Sequence, residues 1–145
     1  MAYLPLDLNP THAVSKLEGR LPKVITPRVH GIIDYAHAAF FFGMALVCRR
    51  SNKPAALAAL GTGSFILAQS MLTDYPLGVK PVMSFATHGK QDAAMASSSW
   101  LIPKLMGFSG TVAARVFEAN SLVEAGVAAM TDFSGGRAKA ERLAD

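Results

Sequence analysis

The sequence predicts an all-α fold, a four-helix integral membrane bundle built from two tandem helical hairpins. Three observations carry that expectation. Hydrophobic residues make up 51% of the 145-residue chain and charged residues 17%, with a mean hydropathy of +0.29, too apolar and too weakly charged for a disordered chain. Two stretches of bilayer-spanning length are nearly or wholly uncharged. A polar motif near the start of the first stretch returns 58 residues later.

The composition excludes other classes. Gly 12 and Pro 8 follow no collagen-like period, and Cys48 alone forms no internal disulfide. The net charge of +4 is spread along the chain, with none of the aromatic-interleaved basic stripes of a nucleic-acid binder. No nucleic-acid partner is therefore expected.

Residues 1–27 read as an N-terminal segment. Pro5, Pro10, Pro22 and Pro27 break any long helix and leave only Thr11–Gly19 for a short one. The segment has no basic start followed by an unbroken apolar run, so a signal peptide is not expected. Four helices should follow. Val29–Cys48 is a twenty-residue stretch whose strongly polar members are His30, Asp34 and His37. Pro54–Thr73, also twenty residues, carries no charge and is the best span, since about twenty residues cross a bilayer core. The third, Ala93 to about Phe108, is interrupted by Ser97-Ser98-Ser99-Trp100, Pro103 and Lys104. The fourth, Ala113–Met130, carries Arg115, Glu118, Asn120 and Glu124. Such charges insert poorly alone, so Arg115 is expected to pair with Glu118 and Asn120 with Glu124.

The self-match organises these segments. His30-Gly31-x-x-Asp34 returns as His88-Gly89-x-x-Asp92, Thr73-Asp74-Tyr75 as Thr131-Asp132-Phe133, and Gly78 as Gly136, all without a gap. We read two copies of a helical hairpin, about 28–78 and 86–136, within a four-helix membrane domain at 28–133, followed by a tail at 134–145. Two hairpins bring His30, Asp34, His88, Asp92, Asp74 and Asp132 to one side. That side also holds nine basic residues (Lys16, Arg20, Lys23, Arg28, Lys80, Lys90, Arg137, Lys139 and Arg142), against Arg49, Arg50, Lys53 and Lys104 opposite. The imbalance places both termini in the cytoplasm.

The pattern RVHGIIDY, then LTDYPLG, then a second H-x-x-x-D before a Ser/Trp-bearing third helix resembles the bacterial SPW-repeat integral membrane proteins, over residues 28–133. The Ser-Pro-Trp signature of that family is degraded here: Ser98-Ser99-Trp100 is followed by Pro103 and Gly107-Phe108. The resemblance implies a small multi-span protein of the bacterial inner membrane with no established activity.

His30, Asp34 and His37 are spaced i, i+4, i+7 and share a helix face. With His88 and Asp92 they offer a metal-ligand set, which could activate water as in a membrane-embedded metal-dependent hydrolase. The same groups suit haem or quinone binding. The preferred expectation is a structural clasp without a cofactor. In it His30 and His88 stand at helix N-caps and Asp34 and Asp92 in first turns, while Asp74 and Asp132 accept from the imidazoles. Duplication supports it, because a clasp is needed in both copies. Gly61-x-Gly63, Gly31, Gly43 and Ala58 read as close-packing positions. The expected role is structural or accessory, in a homo-oligomer or with other membrane subunits in the lipid bilayer.

Overall fold

The computed structural model describes residues 21–135, and those residues are mostly helical. Four long helices carry the fold: α1 Pro27–Cys48, α2 Lys53–Leu72, α3 Phe85–Ser98 and, after the short α4 Ile102–Leu105, α5 Val112–Met130. Two-residue strands β1 Thr73–Asp74 and β2 Met83–Ser84 lie between α2 and α3. The expected Thr11–Gly19 helix and the Gly78/Gly136 match fall partly or wholly outside the described residues.

Each long helix starts on a side-chain oxygen that satisfies a free backbone N–H of its first turn. Thr26, Asn52, Ser84 and Thr111 accept from Val29, Ala55, Thr87 and Ala114. Prolines stand in the first turns of α1 and α2, where their missing N–H costs nothing. The caps correct one expectation: His30 and His88 are not N-caps but lie in the fourth helical position, and Asp34 and Asp92 one turn deeper.

Among the described residues two helices, α1 and α2, are long and apolar enough to cross a membrane, with mean hydropathies of 1.6 and 1.5. The third expected span is shorter and starts earlier. Its helix begins at Phe85 and ends at Ser98, followed by a 3₁₀ turn over Ser99–Leu101 and then α4. Pro103 has no N–H for the Ser99 carbonyl, which accepts instead from Ile102 three residues on.

α1 packs along α2, and α3 with the 3₁₀ turn packs along α5. A Cβ on Gly63 would lie 3.1 Å from the Ala38 carbonyl oxygen and 3.2 Å from Phe41 Cβ, so the glycine permits the close α1–α2 approach. Gly43 and Gly61 face open space, contrary to the packing role expected of them. Phe41 meets Phe117 with ring centroids 5.2 Å apart, joining the halves in a core of Ala38, Ala55, Ala58, Ala59, Ile66, Phe108 and Ala114.

The halves also exchange backbone bonds. β1 pairs in parallel with β2, Thr73 opposite Met83, and the exit of α5 pairs with the entry to α1, Thr131 opposite Ile25. Both pairings follow the same 58-residue offset. The folded unit thus reaches back at least to Ile25, before the residue-28 boundary read from sequence.

Candidate functional site

His30 and Asp34 on α1 meet His88 and Asp92 on α3 because each pair is spaced i, i+4 and presents one helix face. All four are buried, the imidazoles at 1% and 0% exposure. The two Nε2 atoms are 3.2 Å apart. His30 Nε2 lies 3.3 Å from Asp34 Oδ1 and 3.1 Å from Asp92 Oδ2. His88 Nε2 lies 3.3 Å from Asp34 Oδ2 and 3.3 Å from Asp92 Oδ2.

The other ring nitrogens are held by threonines across the halves. His30 Nδ1 is 2.9 Å from Thr131 Oγ1, and His88 Nδ1 is 2.7 Å from Thr73 Oγ1. Each hydroxyl gives its one proton to a backbone carbonyl of its own helix, Thr73 to Gln69 and Thr131 to Val127. A hydroxyl so engaged can only accept from the imidazole. Both Nδ1 atoms therefore carry a proton, and in a neutral ring each Nε2 turns a lone pair to the centre.

This corrects the expected clasp. The imidazole partners are Thr73 and Thr131, not Asp74 and Asp132, which are half-buried one residue on; Asp132 accepts from Ser134. The repeated Thr-Asp-aromatic motif contained the signal, but the acidic residue drew the reading away from the hydroxyl.

Two neutral donors hold the carboxylates from unrelated positions. Tyr75 donates its hydroxyl to Asp34 Oδ2 at 3.2 Å, and Gln69 Nε2 donates to Asp92 Oδ1 at 2.8 Å. Burial, with Asp34 beside it, pushes the Tyr75 pKa up, so the phenol stays a donor. Tyr75, Phe85 and Phe133 close over the imidazoles, Phe133 and Phe85 meeting His30 edge-on at 5.2 and 5.4 Å. The aromatics need glycine beneath them: a Cβ on Gly31 would come 2.7 Å from the Tyr75 ring, and on Gly89 2.7 Å from the Phe133 ring.

His37 stands apart. Its Nε2 bonds Asn120 Oδ1 at 2.6 Å, and among the described residues no hydrogen bond or ion pair ties it to the four. Asn120 in turn donates to Glu124 at 3.3 Å, as expected. Arg115 and Glu118 are both exposed, with no ion pair joining them. A cavity of about 60 Å³, lined by His37, Gln69, Asp92 and Glu124 among others, separates the two networks. It is of a size for water-sized guests, well below the several hundred Å³ typical of a cofactor pocket. His30, Asp34 and His88 bring one donor atom each within 4.8 Å of one another, a spacing able to hold a metal ion.

Comparison with protein-family models, curated proteins and solved structures finds no match to this chain.

Proposed function

We propose that this chain is a small integral membrane protein of two tandem hairpins with a structural or accessory role, its four helices forming one bundle in the bilayer. The observation that supports the reading is an inverted polarity. His30, Asp34, Gln69, His88, Asp92, Asn120 and Glu124 are buried, while Val47, Leu57, Leu122 and Val123 are exposed at 80, 62, 77 and 63%. Water would reward the opposite arrangement; a bilayer rewards this one, because polar groups must find partners inside. Of the most apolar window of α1, 28% is buried within the described residues, whereas a soluble core helix would be mostly covered.

The accessory role rests on what the bundle leaves open. Arg115 and Glu118 face outward from α5. Two open apolar grooves of about 670 and 520 Å³ flank α1 at the end away from the cluster, one lined by Phe40, Val47 and Val112, the other by Leu46, Leu57 and Leu60. Acyl chains or the helices of a second subunit suit such surfaces. The resemblance to SPW-repeat proteins and the basic-residue imbalance favour the bacterial inner membrane with both termini inside.

Alkaline carbonate or urea washing of membranes tests the reading. The protein should stay in the pellet and require detergent for release. Quantitative release into the wash as a monodisperse bundle would overturn it.

A further inference from the structure

We propose that His30, Asp34, His88 and Asp92 form a tetrahedral site for one divalent transition-metal ion of the zinc class, joining α1 to α3. The inference does not depend on the membrane reading, because it rests on the geometry and hydrogen bonding of the cluster.

The first argument is distance. Zinc holds nitrogen and oxygen ligands at about 2.0–2.2 Å, which places tetrahedral ligand atoms about 3.3–3.6 Å apart. The Nε2–Nε2 separation is 3.2 Å, and the four nitrogen–carboxylate separations run from 3.1 to 3.3 Å. Asp34 reaches His30 through Oδ1 and His88 through Oδ2, so four edges of the tetrahedron are present when one oxygen is taken from each carboxylate, and the Asp34 carboxylate turns to close the rest around an ion.

The second argument is the supply of protons. With both Nδ1 protons committed to Thr73 and Thr131, neutral imidazoles turn two lone pairs toward two carboxylates. Four acceptors then converge with no donor among them, and Asp92 Oδ2 is a buried acceptor without a hydrogen bond. Protonating both rings instead would set two cationic N–H groups against each other across 3.2 Å. Protonating one leaves a buried net negative charge. A divalent cation at the centre neutralises both carboxylates and uses every lone pair.

The third argument is the surrounding shell. Metal-bound imidazoles pass their other N–H to a fixed acceptor, and ligating carboxylates are themselves hydrogen-bonded. Thr131, Thr73, Tyr75 and Gln69 fill those positions one for one. Four protein ligands close a tetrahedral site, which is the pattern of structural rather than catalytic zinc. The ion would fasten the first hairpin to the second at their entry turns.

The test uses the full chain purified in mild detergent, with Zn²⁺ and Co²⁺ as probes. Elemental analysis should find about one zinc per chain, retained in His37→Leu and lost in His88→Gln and Asp92→Asn. Since those two variants also lose buried hydrogen bonds that hold the fold, wild-type protein stripped with a chelator supplies an independent reading. One equivalent of Zn²⁺ should raise its melting temperature, and one equivalent of Co²⁺ should give the intense visible absorption of a tetrahedral site. Stripped wild-type protein that takes up neither ion, or a weak octahedral Co²⁺ spectrum, would overturn the proposal. So would zinc retained in Asp92→Asn but lost in His37→Leu.

Discussion

His30 and His88 stand 58 residues apart in the chain and 3.2 Å apart at their Nε2 atoms, each imidazole anchored by a threonine of the opposite half. Neither half supplies the Nδ1 partner of its own histidine. Folding of one hairpin is thereby coupled to the other through buried groups that lose their partners if the halves separate.

Replacing either threonine by valine keeps its shape but removes the acceptor for a buried imidazole N–H. Thr73→Val and Thr131→Val should each destabilise by about 1–3 kcal/mol, while serine at either position restores most of it. Melting of the four variants in one detergent measures this. Unequal losses would indicate that the two contacts, 2.7 and 2.9 Å long, differ in worth.

The glycines beneath the aromatic lid should tolerate nothing larger. In Gly31→Ala and Gly89→Ala the new methyl group meets the Tyr75 or Phe133 ring at 2.7 Å. Overpacking of this kind costs about 1–3 kcal/mol. Gly43→Ala and Gly61→Ala, which meet open space, should instead match or exceed the wild-type melting temperature.

His37 offers a contrast within the same helix. His37→Leu strands the Asn120 carbonyl oxygen and should cost about 1–3 kcal/mol. Adding Asn120→Leu should return part of that loss, a coupling that a double-mutant cycle reads directly.

The proposed four-span arrangement fixes a topology. Reporter fusions after residue 52, between α1 and α2, and after the C-terminal residue 145 should report opposite sides of the membrane. Agreement between the two would mean that one of the α2, α3–α4 and α5 passages does not cross.

Much of this architecture was legible in the residues. Pro27 and the uncharged run from Pro54 placed α1 and α2 within a few positions, because proline start signals and bilayer-length apolar runs are local properties. The His-x-x-x-Asp repeat named the four residues that meet. The break after Ser98 was visible only as weakness, since Pro103 and the serines announce trouble in a helix without saying where the chain bends.

The sequence by itself determined α1, α2 and α5, their polar stripe and the residues that recur at one offset, all of them consequences of spacing along a single chain. The tertiary structure alone decided the partners. His37 shares a helix face with His30 and Asp34, yet a third turn of rise carries it to Asn120 on α5 and away from the cluster. Thr73 and Thr131, not the aspartates beside them, hold the imidazoles, because the backbone turns extended at each C-cap and the capping threonine side chain faces inward while the next residue turns away. How closely the four side chains converge depends on distances of a few tenths of an ångström, and those are set by how the α1–α2 pair meets the α3–α5 pair.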